Sequence, residues 1–225
     1  RYVLNVFYAC LLFVLAPFLA WTAWRTGKYR DGWNAKLLGQ VPAPPQVPSH
    51  SSPSPIRVWF HAVSVGEVNL LAPILAKFLA ANPHSQILIT TTTKTGFELA
   101  NKKYSDHTVS YCPLDFSWAI RNTLRTWRPH LLVLVELELW PNLLLAAQAA
   151  QIPVAIVNAR LSEQSARGYQ KLRCFLRKPM DRVLQGITLV AAQSRSCAER
   201  FERLGIPAER IALTGSVKFD GAESN

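Results

Sequence analysis

Two carboxylates, Glu136 and Glu138, close the most hydrophobic run of the chain, Leu131-Leu-Val-Leu-Val135. Acids abutting a buried strand are costly unless they are paired or open into a cleft, and strand ends are where open α/β sheets bind ligands. Pro141 suits the first turn of a following helix, so one of these acids could serve as its cap. A cap needs one acid, however, and here there are two. Glu67 occupies a similar junction, after the apolar run Ile56-Arg-Val-Trp-Phe60. The tetrad Ser64-Val-Gly-Glu67 matches a capping box, S/T-x-x-E. The same position, beside the flexible Gly66 and at a helix N-terminus, would keep a carboxylate ionised as a general base requires. Spacing alone does not separate the two readings.

Further polar clusters sit at the same kind of junction. Thr90-Thr-Thr-Thr-Lys-Thr-Gly96 follows Ile87-Leu-Ile89, and its hydroxyls, amides and glycine suit a phosphate or sugar hydroxyls, with Thr92, Thr93 and Lys94 as candidates. A Thr-rich strand end is also ordinary β-propensity, and the order G-x-x-x-x-G-K-[ST] is absent. Asn158-Ala-Arg160 follows Val154-Ala-Ile-Val157, and Arg160 could grip a carboxylate or phosphate with both guanidinium nitrogens. Gln193 and Ser194 follow Val190, and Lys218 follows the last strand in Thr214-Gly-Ser-Val-Lys-Phe-Asp220. Each cluster alone reads as loop polarity. Together they line one edge of one sheet.

Other residue types carry less. His61, His84, His107 and His130 show no metal-ligand spacing and read as structural or solvent-facing. Lys94-Thr-Gly96 resembles a β-lactamase triplet, but no S-x-x-K accompanies it. The four cysteines are scattered without a C-x-x-C pair, which argues against a disulfide framework and a zinc site and fits a reducing compartment.

These junctions need a scaffold. From Ile56 onward short β-rich runs, at 56–61, 86–92, 107–111, 131–136, 153–157, 187–191 and 210–213, alternate with stretches of helical period such as Val68 to Ala81. Near-continuous apolar strands in β-α alternation predict a doubly wound, Rossmann-like parallel sheet covered on both faces. Ahead of it, Val41 to Pro55 is rich in Pro and Ser and reads as an extended linker. Residues 1–40 read as a membrane anchor with its juxtamembrane segment. The run from Tyr2 to Trp24 carries no charge, and as a helix would span roughly 30 Å, a bilayer core. Trp21 and Trp24, then Arg25, Lys28 and Arg30, form an aromatic belt followed by cations, which places that end in the cytoplasm. The chain begins at Arg1 and ends at Gly221-Ala-Glu-Ser-Asn225 without a closing element, which reads as a fragment.

The formal net charge of +11 attracts nucleic acid, acidic lipid or phosphorylated substrates. Nucleic acid is disfavoured, since no recognised binding motif is present and an anchor makes a poor companion. Arg167, Lys171, Arg173, Arg177, Lys178 and Arg182 share one stretch with Tyr169 and Phe175. That stretch is either a solvated helical face or a surface meeting anionic lipid.

The segments His61 to Glu67, Thr91 to Gly96, Pro113-Leu-Asp115, Glu136 to Asn142, Asn158 to Ser162, Arg200 to Gly205 and Thr214 to Asp220, in this order, resemble the Kdo (3-deoxy-D-manno-octulosonic acid) transferases. Gly27-Lys-Tyr-Arg30 also fits. The resemblance implies a two-domain, GT-B type glycosyltransferase on the cytoplasmic face of the inner membrane, single-pass. Residues 56–225 would be its acceptor-binding N-terminal domain, without the C-terminal donor domain and so inactive alone. It implies transfer of Kdo from CMP-Kdo to lipid IV(A) with inversion, no cofactor and no protein-bound metal. Glu67 would be the proton acceptor, and Glu138 and Lys218 the transition-state stabilisers. Ser64, Gly66, Thr92, Thr93, Lys94, Glu136, Asn158 and Arg160 are the substrate-binding candidates. The chain departs from the family pattern at Leu137, where Thr or Ser is usual, and at Ser216, where Asn is common. The alternative is a non-catalytic, membrane-tethered module that holds anionic glycolipid.

Overall fold

The computed structural model describes residues 2–26, 31–46 and 54–217. Seven strands, β1 (Arg57–His61), β2 (Gln86–Thr91), β3 (Thr108–Tyr111), β4 (Leu131–Val135), β5 (Val154–Ala159), β6 (Leu189–Ala192) and β7 (Ile211–Leu213), form one sheet. Its order is β3-β2-β1-β4-β5-β6-β7, and every pairing is parallel. The doubly wound sheet expected from the apolar runs is therefore present, with strand ends displaced by only a residue or two. β5 runs further than expected and takes in Asn158, where its register against β6 shifts.

The strands form because their side chains are apolar on both faces. In β1 Val58 and Phe60 face one core and Trp59 the other, each at most 1% exposed. In β4 Val133 and Val135 share the core of Val58 and Phe60, while Leu132 and Leu134 join Trp59. Fully burying such a side chain stabilises the fold by about 1.5–3 kcal/mol. Helices α3 (Val65–Ala81) and α4 (Lys94–Lys103) cover one face. Helices α5 (Ser117–Trp127), α6 (Pro141–Ala149) and α8 (Arg177–Gln185) cover the other. Helix α7 (Glu163–Phe175) leads into α8, and α9 (Arg195–Leu204) precedes β7.

The chain joins this body earlier than the Pro/Ser pattern suggests. Helix α2 (Trp33–Leu38) lies along α5, with the indole of Trp118 donating to the Leu37 carbonyl at 2.8 Å and the Thr123 hydroxyl to that of Gly39 at 3.1 Å. Gly39 has φ +65°, and a Cβ there would sit 1.9 Å from the Ala119 carbonyl oxygen, so no other residue fits. Val41 is buried, and Trp127 donates to the Pro42 carbonyl at 2.7 Å. Residues 41–46 are thus extended but pinned, rather than a free linker. Residues 47–53 lie outside the described residues.

The membrane anchor expected at the start of the chain is not confirmed. Residues Tyr2–Thr26 do form one helix, α1, yet among the described residues no helix is long and apolar enough to cross a membrane. The ends of α1 also lie near the domain. Asn5 is buried against Ser117, and Asp31, after the helix, pairs with Lys94 of α4 at 3.0 Å. Five residues of chain reach at most about 18 Å, so the far end of α1 stays close to the domain that holds its near end.

Candidate active site

Parallel strands place all their C-terminal ends on one edge, and the strand order reverses direction between β1 and β4. Such a switch point opens a crevice for ligand. Glu67 enters it from the first turn of α3, and Glu136 and Glu138 from the loop that leaves β4. The sequence clusters at the ends of β1, β2, β4, β5, β6 and β7 therefore do share one edge.

The three acids are close enough to repel one another, since each of Glu67 and Glu138 feels Glu136. Glu67 is half-buried. Its carboxylate accepts from the Val63 amide at 2.8 Å and from the Ser64 hydroxyl at 3.2 Å. This is not the reciprocal capping box, because Ser64 makes no side-chain bond to the helix amides. The serine serves the glutamate instead. Each carboxylate oxygen can accept two bonds, so capacity for a substrate hydroxyl remains. Burial, the largest influence, raises the Glu67 pKa; the Val63 and Ser64 bonds oppose it, and Glu136 adds to it.

Glu138 is pushed up to about 7, chiefly by burial, with Glu67 and Glu136 adding to the rise. The Trp140 indole donates to it and works the other way. Trp140 in turn meets His61 edge to face, with ring centroids 6.4 Å apart. His61 is fully buried at the end of β1, its Nδ1 3.0 Å from the Thr90 hydroxyl. Burial lowers it to about 4, leaving it neutral at pH 7. The structural reading of His61 fits its burial, and the ring also forms the wall behind Trp140.

Two left-handed backbone positions lie here. Glu136 has φ 62° and Asn158 φ 50°, values uncommon for non-glycine residues that Arg128 and Gln151 also adopt, at the ends of α5 and α6. Glu136 and Asn158 end the neighbouring strands β4 and β5. Asn158 is 1% exposed; its Oδ1 accepts from the Val217 amide at 3.2 Å and its carbonyl from Gln193 at 2.7 Å. Its role in this state is to gather the β6 and β7 loops. Lys218 itself lies outside the described residues.

The remaining candidates divide. Thr93 caps α4, accepting from the Gly96 amide at 3.1 Å, and Lys94 is held by Asp31. Among the described residues the buried Thr92 hydroxyl has no partner. Gly66 is exposed, and a Cβ there would meet nothing nearer than the Ser64 hydroxyl at 3.8 Å. Nothing within the described chain needs a glycine at 66. Arg160 is exposed beside these loops. The sequence named Tyr169 of α7 only as part of a basic stretch; it is near enough to Glu138 for the carboxylate to raise its pKa in addition to burial. Among the described residues no cluster of His, Cys, Asp or Glu could hold a metal ion. A groove of about 370 Å³ lined by Arg121, Arg125 and Arg128 lies between the far ends of α5 and α6, away from this edge.

Comparison with known proteins places this arrangement. A family model described as 3-deoxy-D-manno-octulosonic-acid transferase (kdotransferase) matches residues 30–221. The 3-deoxy-D-manno-octulosonic acid transferase of Haemophilus influenzae is 36% identical over 76% of this chain and 39% of its own length. That of Chlamydia trachomatis is 29% identical over 95% of this chain and 48% of its own. A bifunctional glycosyltransferase/methyltransferase of Fusobacterium nucleatum is 41% identical over 72% of this chain and 25% of its own. The chain thus spans less than half the length of these curated relatives. Among solved structures, the UDP-GlcNAc 2-epimerase of Neisseria meningitidis superposes with a TM-score of 0.52 at 14% identity, over 73% of this chain and 48% of that one. The epimerase of Methanocaldococcus jannaschii gives 0.50 at 15%, over 72% and 46%. These two share the fold.

Proposed function

Because the chain belongs to the 3-deoxy-D-manno-octulosonic-acid transferase family, we propose that it forms the acceptor-side half of an enzyme that transfers Kdo from CMP-Kdo to lipid IV(A) in lipopolysaccharide assembly. The observation that carries this reading is the Glu67 carboxylate, held by Val63 and Ser64 at the mouth of the switch-point crevice, with Glu136 and Glu138 facing it. Glu67 takes the proton from the attacking hydroxyl of lipid IV(A). The freed oxygen bonds to the anomeric carbon of Kdo as the bond from that carbon to the CMP phosphate oxygen breaks, so the centre inverts and CMP leaves with the electron pair. A base works best when its pKa approaches the working pH, and burial moves Glu67 in that direction. Glu138, at about 7, is protonated in a substantial fraction of molecules at neutral pH. It can therefore donate a hydrogen bond into the transition state as well as accept one. Lys218 balances charge on the departing CMP, and Asn158 gathers the loop that leads to it.

The same reading sets the protein on the cytoplasmic face of the inner membrane, lying in the interface rather than spanning it. Phe13 is 82% and Trp24 77% exposed on α1, and Phe175, 86% exposed, projects where α7 meets α8. Arg177 and Lys178 follow Phe175 and Leu176 directly. Exposed apolar side chains beside cations match the headgroup boundary of an anionic bilayer. Incubating the complete protein with CMP-Kdo and lipid IV(A), then weighing the product, tests the activity. A product heavier by one or more Kdo residues is expected. Binding of lipid IV(A) without any gain in mass would instead identify a non-catalytic glycolipid-binding module.

A further inference from the structure

The geometry points to a second task for the N-terminal helix: its first two turns brace the loop that carries Glu138. This rests on the role proposed above for that loop. Helix α6 begins at Pro141, which has no N–H, and its N-cap residue Trp140 makes no side-chain cap. The first two amides that need partners are those of Asn142 and Leu143. Both donate to one distant carboxylate, Asp115, at 2.9 and 2.8 Å. The Asn142 side chain returns a bond of 2.6 Å to the Asp115 carbonyl. Asp115, in the loop between β3 and α5, thus caps the helix that starts at the residue after Trp140, the partner of Glu138.

Helix α1 completes this cap. The Tyr8 hydroxyl donates to Asp115 at 3.1 Å, and its ring meets Phe116 edge on, with centroids 6.2 Å apart. Asn5, 8% exposed, donates to the Ser117 hydroxyl at 2.7 Å. Its carbonyl oxygen accepts from the Ser117 amide at 3.0 Å and from the Asn142 side chain at 3.2 Å. A helix that served only to hold a bilayer would have no use for a buried asparagine. Here Asn5 and Tyr8 of α1 are spent inward, on Asp115 and the first turns of α5 and α6, while Phe7, Phe13, Val14 and Phe18 remain outside. The groups facing Asp115 are Tyr8 from α1, Cys112 at the end of β3 and the two α6 amides. None of them is cationic, so the ionised carboxylate depends on its donors.

The test uses the complete protein in detergent micelles, where attachment to a bilayer no longer limits the rate. Asn5→Ala and Tyr8→Phe are compared with Phe13→Ala on the outer face. Hydrogen exchange at Asn142 and Leu143 is expected to quicken about tenfold or more in the first two, as each loses a buried bond, and to stay native in Phe13→Ala. Kdo transfer should fall roughly 10- to 100-fold through displaced geometry. In Tyr8→Phe its acid limb should move to higher pH, because Asp115 has lost a donor to its ionised form. Partial unfolding would scale the rate equally at every pH and leave that limb in place. Native exchange at Asn142 and Leu143 in both variants overturns the brace, whatever the activity. Absence of transfer by the unaltered protein refutes the proposed function instead, and the exchange measurement still decides the brace.

Discussion

Glu67→Gln separates the structural task of one carboxylate from the catalytic one proposed for it. In the fold it accepts from the Val63 amide at 2.8 Å and from the Ser64 hydroxyl at 3.2 Å. Glutamine keeps one oxygen for the amide, and the serine hydroxyl can reverse and accept from the new NH2, so both contacts have a neutral substitute. What is lost is the charge at the start of α3, worth about 0.3–1 kcal/mol, partly offset by relief of the repulsion from Glu136. A loss of that size lowers Tm by about 4 °C at most for a protein of this length. Removing a general base costs roughly 10²–10⁴ in rate, or about 3–5.5 kcal/mol of barrier. The chemical effect therefore exceeds the structural one several-fold. The assay pairs thermal unfolding with Kdo transfer by the complete protein, followed by mass spectrometry of the product. A well-folded variant with native transfer would refute the base assignment and leave Glu67 as a helix-end residue.

Further outcomes follow from the same geometry. Because the base must be ionised and burial raises its pKa, activity should fall with decreasing pH from above the ordinary carboxylate range; Trp140→Phe, which removes a donor to Glu138, should move Glu138 higher still, as a pH–rate profile would show. Stability should carry two opposed pH dependences. Asp115, about 6 in the fold against 3.8, binds its proton more tightly when folded, so its contribution is full below about 4 and is lost as pH rises through 6. His61, about 4 against 6.5, contributes above 6.5 and loses that as pH falls through 4. Each is worth at most about 3 kcal/mol. In urea titrations between pH 4 and 7, Asp115→Asn should steepen the acid-side loss and His61→Phe should flatten it; unchanged slopes would contradict both. Gly66→Ala should keep or raise Tm, by virtue of about 0.5–1 kcal/mol of helix propensity, yet reduce transfer if the open space at 66 admits substrate.

The sheet was legible because every strand is an apolar run, and burial on both faces leaves no other element for Leu131-Leu-Val-Leu-Val135. The strand-end clusters were legible for a related reason: in a parallel sheet all such ends share an edge. Asp115 could be quoted as part of a matching segment but not given a task, since its partners lie 27, 28 and 107 residues away. Tyr169 was legible only as a member of a basic stretch, read as a solvated face or a surface meeting lipid, and its place beside Glu138 comes from the fold. The anchor expectation is not confirmed among the described residues. Hydropathy reports that α1 prefers not to face water, and says nothing of where its ends are tied.

By itself the sequence determined the fold class, the edge on which the candidate residues gather and the family, all of which depend on local apolar runs and on residues at fixed offsets from them. Only the tertiary structure decided that Ser64 serves Glu67 rather than the helix amides, that Glu138 is poised near 7 by burial among neighbouring acids, and that α1 is drawn against the domain. These depend on distances between residues far apart in the chain, and on burial, which no single segment possesses alone.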